Sequence, residues 1–159
     1  MPQSDPLIEL LAGLPSLLVT VTAALRPEQR QSLLIQADSV RREQISHCLH
    51  FVANRITSRP VTGIPDAVLL DLSRVRILAE NAMSRLQTVP ALVLDGPIIQ
   101  LLPAVAENRL TKLAQLAADL PVLEARAEQI VSASINALPV LIQQLTSALD
   151  RLDQTLLNL

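Results

Sequence analysis

Reactive side chains crowd together at one place in this chain, the run Glu43, His47, Cys48 and His50. On a helix Glu43, His47 and His50 stand at i, i+4 and i+7 and share a face, a spacing that lets three ligands converge on a metal ion. The same spacing more ordinarily builds an exposed Glu43–His47 pair with His50 at the edge of an apolar face, and a loaded metal site would want a fourth ligand that the sequence does not identify. Cys48 lies about 100° and 200° around the helix from the two histidines, so neither is placed to activate it. It falls in line with Ile45 and Val52, the ordinary position of a small buried thiol. Glu124 and Glu128 are i, i+4 neighbours beside Arg126, which reads as a charged, solvated helix face rather than an acid/base pair. No glycine-rich phosphate loop, nucleophile elbow or Cys-x-x-Cys occurs. The residues therefore assign no catalytic, cofactor-binding or metal site, and the expectation is a protein that is not an enzyme.

The elements that would carry such groups are helical. Half of the 159 residues are apolar, but aromatics make up only 1%, so Leu, Ile, Val and Ala must supply the core. Three glycines against eleven prolines leave little material for tight β-hairpins, and one cysteine cannot form an internal disulfide. The net charge of -2 and pI near 5.6 argue against nucleic acid, as does the absence of Tyr and Trp for base stacking. Arginines cluster between residues 26 and 59, where Arg26, Arg30, Arg41, Arg42, Arg55 and Arg59 outnumber Glu28, Asp38 and Glu43; they could meet an acidic partner or lipid headgroups, but a solvated helix face accounts for them more readily. The uncharged run Leu10–Leu25 is shorter than the roughly 20 residues that span a bilayer and contains Pro15. Met1 to Glu9 has no basic residue to open a secretory signal. Together with a lone thiol, this points to a cytoplasmic setting.

Prolines mark the helix starts. Asp5-Pro6 and Arg26-Pro27-Glu28 each read as an entry into a helix, the second running from Pro27 to about Ser58 with Leu33, Ala37, Val40, Ile45, Cys48, Leu49, Val52 and Ile56 on one face. Thr62-Gly63-Ile64-Pro65-Asp66 is a turn. After it, Val68, Leu72, Val75, Ala79, Ala82 and Leu86 recur at spacings of 4, 3, 4, 3 and 4, a helix-packing seam that stops before Pro90. Arg74, Glu80 and Arg85 lie off it. A second break follows at Asp95-Gly96-Pro97, and the run from Pro97 to Leu102 is either a helical turn or a buried connector.

Leu-Pro recurs at 102–103, 120–121 and 138–139, an interval of eighteen residues that equals about five helical turns. Leu14-Pro15 resembles these steps. As one straight helix, Pro103 to Asn158 would be about 84 Å long, twice the roughly 40 Å diameter of a compact domain this size. The segment must fold back or the protein must assemble lengthwise. A kink is expected at Pro121 and a true break near Asn136. The apolar seam of this region reads Leu113, Leu116, Leu120, Leu123, Ala127 and Ile130, then Ala137, Leu141, Leu145, Ala148 and Leu152, with Ser134 interrupting it.

The sequence thus describes a single all-α domain over 1–159, with N-terminal helices in 1–90 and proline-punctuated helices in 97–159, forming a multi-helix bundle or an elongated helical assembly. The function expected is that of a structural or adaptor protein acting by self-association or by packing against a partner helix. Val68, Leu72, Val75, Leu86, Leu141, Leu145, Leu152 and Leu156 are the candidate contact residues, and an intramolecular core is the competing role for each. A lipid-surface or apolar-ligand protein is the alternative; acidic C-terminal helices without aromatics place it second.

Overall fold

The computed structural model describes the backbone at 27–89 and 102–159 and the side chains at 35–89 and 108–159. The expected first helix at Asp5-Pro6, the run Leu10–Leu25 and the break at Asp95-Gly96-Pro97 lie outside the described residues. Among those described the chain is all-α: α1 (Pro27–Ser58), α2 (Asp66–Thr88), α3 (Leu102–Ser132) and α4 (Leu138–Leu157), with a single 3₁₀ turn (Ile135–Ala137) before α4.

Each boundary has a local cause. Pro65 precedes α2 in an extended conformation, and its carbonyl accepts from the amides of Val68 and Leu69. Pro139 sits in the first turn of α4, where the missing N–H has no partner to lose. Gly63 adopts φ +79°, and the Ile64 amide donates to the Val61 carbonyl at 3.2 Å, closing the turn between α1 and α2. An L side chain at Gly63 would meet the left-handed penalty of about 1–2 kcal/mol.

The three Leu-Pro steps behave differently. Pro103 and Pro139 lie at the starts of α3 and α4, whereas α3 runs on through Pro121. The break expected near Asn136 is found: α3 ends at Ser132, and Asn136 lies in the 3₁₀ turn. Ser134 is not part of a seam; it is exposed in the connection, where its carbonyl accepts from Ala137 N.

The chain divides into two compact units, each drawing on both the N-terminal and the C-terminal half of the sequence. In the first, Ala37, Leu110, Leu113 and Leu116 are buried, as is Asp38, whose carboxylate takes a two-pronged contact from Arg109, Nε at 2.7 Å and Nη2 at 3.3 Å. A buried carboxylate needs such a partner, because losing one member of a buried pair costs about 3–5 kcal/mol.

The second unit holds residues 45–89 and 119–158. Here α1 and α3 run parallel: Cys48 contacts the Leu120 carbonyl, Arg55 pairs with Glu128 at 2.7 Å, and Arg59 reaches the carbonyls of Ile130, Val131 and Ala133. α2 packs on α4 in the same sense, with Asp71 and Arg74 near Pro139 and Ile142, and Arg85 pairing with Asp153 at 2.6 Å. Each turn-linked pair is antiparallel and leaves a groove: Ile56, Thr57 and Arg59 face Leu69, Leu72, Ser73 and Arg76, while Val122 and Arg126 face residues 143–151. Two helical hairpins therefore lie side by side with like helices adjacent. Between them Ile45, Leu49, Val75, Leu123, Ile130, Leu138, Leu145 and Leu149 are almost completely buried.

Candidate interaction surface

The residues singled out for contact fall mostly in this interior. Leu72, Val75 and Leu86 are buried on α2, Leu145, Leu152 and Leu156 on α4, and Val68 and Leu141 are half-buried at the margin. The seam on α2 is occupied as its spacing implies, at Leu72, Val75, Ala79, Ala82 and Leu86. On α4 the buried line is Leu138, Ile142, Leu145, Leu149, Leu152 and Leu156, one residue away from the expected line at Ala137, Leu141 and Ala148.

What the second unit offers outwards is a different set of side chains. Leu70 is 53% exposed and Ile77 46%, and with Arg74 they form one stripe along α2 at i, i+4 and i+7. Ile77, Asp71, Arg74 and Leu78 make one wall of an open groove of 660 Å³, and Pro139, Ile142, Gln143, Thr146 and Ser147 of α4 make the other. Val140, which follows Pro139 in α4, is 58% exposed. Asp71 and Arg74 lie 3.7 Å apart, a solvated i, i+3 contact that contributes little to stability. Gln143 and Ser147 also line a smaller groove of 360 Å³ between α3 and α4, with Val122, Arg126, Gln144, Ala148 and Arg151. α4 thus stands between two grooves, one lined by Ile77, Leu78, Pro139 and Ile142 among polar residues and one bordered by two guanidinium groups.

Glu43, His47 and His50 are all exposed, and among the described residues no three His, Cys, Asp or Glu side chains are gathered closely enough to hold a metal ion. Cys48 is buried, and its Sγ donates to the Leu120 carbonyl oxygen at 3.7 Å. Burial above all, then the negative charge of Glu124 and a side-chain hydrogen bond with it, pushes this thiol up to about 12. Such a group is a neutral donor rather than a nucleophile. Glu124 and Glu128 do not form the plain solvated face expected of them, since Glu124 is half-buried against Cys48 and Glu128 is tied to Arg55. Arg85, likewise expected off the seam and solvated, is held by Asp153.

Three features were missed by sequence reasoning: the reach of Arg59 to the end of α3, the pairing of Asp38 with Arg109, and the exposed stripe Leu70, Arg74 and Ile77. The first two join residues about seventy positions apart and leave no local trace. The third was visible as apolar residues off the α2 seam. Among the described residues no helix is long and apolar enough to cross a membrane. Compared with known proteins, the chain matches no family model, no curated protein and no solved structure.

Proposed function

We propose that this protein is a non-enzymatic structural or adaptor component of the cytoplasm that works by association, its outer helix faces packing against a helix of another copy of the chain. The observation that carries this reading is the stripe of Leu70 and Ile77 beside the 660 Å³ groove between α2 and α4, on a unit whose core is already filled. Exposed apolar side chains beside an open groove suit a contact site, and a groove between two helices suits a third helix that presents side chains at i, i+3 and i+7. A cytoplasmic setting agrees with a single, buried, unpaired cysteine.

The test is a concentration series followed by light scattering, on the full chain and on Ile77→Glu. The full chain is expected to associate, and the variant to associate more weakly at equal helicity, because a buried carboxylate without a partner is strongly disfavoured. A variant that associates as the parent does would remove this groove from the contact. Binding of the parent chain to neutral or anionic vesicles with a gain in helicity, without self-association, would favour the lipid-surface alternative instead.

A further inference from the structure

The outer face of α3 carries three residues whose order is self-complementary: Asp119, Val122 and Arg126, at i, i+3 and i+7. These positions lie within about 60° of one another around the helix. Asp119 and Val122 are exposed, Val122 by 53%, and Arg126 is half-buried at the edge of the α3/α4 groove. Among the described residues Asp119 makes no ion pair, and Arg126 has none either; its Nη1 donates only to Gln129 Oε1, at 3.1 Å. Both charges lie within the second unit and face away from its core. Ala125, small and exposed, flanks Val122 and leaves room for a close approach.

The midpoint between Asp119 and Arg126 falls half a residue from Val122. If a second α3 is laid antiparallel across the first with a two-fold axis at that midpoint, each charge stands 3.5 residues, about 5 Å, from the axis. Asp119 of each copy then faces Arg126 of the other, twice over. The two Val122 side chains meet at the centre, offset along the helix by about 1.5 Å. A two-fold contact requires this reciprocity, in which residue i meets j and j meets i. Arg151, bordering the same groove, adds a second cation near the carboxylate that arrives.

We infer that α3 forms an isologous antiparallel contact with the α3 of a second copy, centred on Val122 and held in register by reciprocal Asp119–Arg126 pairs. The inference rests on the reading that the protein self-associates, and adds to it a contact on α3 that is separate from the α2/α4 groove. A generic acidic or basic partner would satisfy one of the two charges and leave the other facing its like. A second copy satisfies both.

The experiment uses three full-length chains: the parent, Asp119→Arg and Arg126→Asp, each first checked for unchanged helicity by circular dichroism. Either single reversal places like charges opposite each other at both pairs, so each variant alone is expected to dimerise at least about tenfold more weakly than the parent. Mixed in equal amounts, the two variants restore opposite charges at both positions, and a mixed dimer is expected with affinity within about threefold of the parent. If the parent associates but the reversals do not weaken it, or the mixture does not recover, the α3 contact is overturned while self-association stands. If the parent remains monomeric at every concentration, the α3 contact and the broader reading fall together.

Discussion

Arg59, the residue just past the end of α1, places its Nη1 3.0 Å from the carbonyl oxygen of Val131 in the last turn of α3. The same nitrogen donates to the carbonyls of Ile130 and Ala133. The final carbonyls of a helix have no amide of their own to accept from, and they gather the negative end of its dipole. A guanidinium supplied by the neighbouring parallel helix answers both needs, and it does so where the chain must leave α3 and turn into α4.

Replacing this side chain should loosen that end of the unit. Arg59→Ala is expected to lower stability by about 1.5–3 kcal/mol, the range for hydrogen bonds to a charged group. Arg59→Lys, which keeps the charge without the planar fork, should recover part of the loss. Urea denaturation of the three proteins measures this. Equal midpoints for the parent and Arg59→Ala would mean that the carbonyls are equally well served by water.

The buried thiol supplies a pH dependence. Cys48 ionises at about 12 in the folded chain, against about 8.5 in an unfolded one. The folded state therefore holds this proton more tightly than the unfolded state does. Its contribution to stability is complete below about 8.5 and is lost progressively as the pH rises from there towards 12. Between pH 8 and 10.5 the stability of the parent should fall more steeply than that of Cys48→Ala, and a thiol reagent at pH 8 should label Cys48 only after unfolding. Parallel pH profiles, or rapid labelling of the native protein, would contradict the burial of this group beside Glu124.

The packing of α4 separates two readings of one leucine-rich helix. Leu149→Ala, at a position 1% exposed, is expected to cost about 2–5 kcal/mol, whereas Leu157→Ala, at 56% exposed, should cost less than about 0.5 kcal/mol. Leu141→Ala should fall between them, because Leu141 is half-buried. Thermal unfolding of the three variants ranks them directly. A larger loss at Leu141 than at Leu149 would restore the seam drawn from spacing alone.

That contrast also shows what could be read from the chain before its structure. The α2 seam was legible because its off-seam positions include Asp71, Arg74, Glu80 and Arg85, so only one face can be buried. The α3 seam at Leu113, Leu116, Leu120, Leu123, Ala127 and Ile130 was legible for the same reason, and each of these residues is buried. On α4, Leu141 and Ile142, and Ala148 and Leu149, stand side by side, and spacing alone does not choose between them; the contact with α2 does. The proline starts at Pro27 and Pro139 follow from the backbone chemistry of proline, while the continuity of α3 through Pro121 depends on packing along the rest of that helix. Arg59, Asp38 with Arg109, and Glu124 with Cys48 could not be foreseen, because which of many exposed-looking charges meets a partner seventy residues away is decided by the parallel pairing of α1 with α3.

Self-association through the outer helix faces is the activity proposed for this chain. The most direct measurement is the molar mass of the purified full-length protein by light scattering or sedimentation equilibrium, across a hundredfold range of concentration. Mass rising from that of one chain, 17.3 kDa, to twice that value or beyond is the result expected. A mass that stays at one chain throughout would contradict the account.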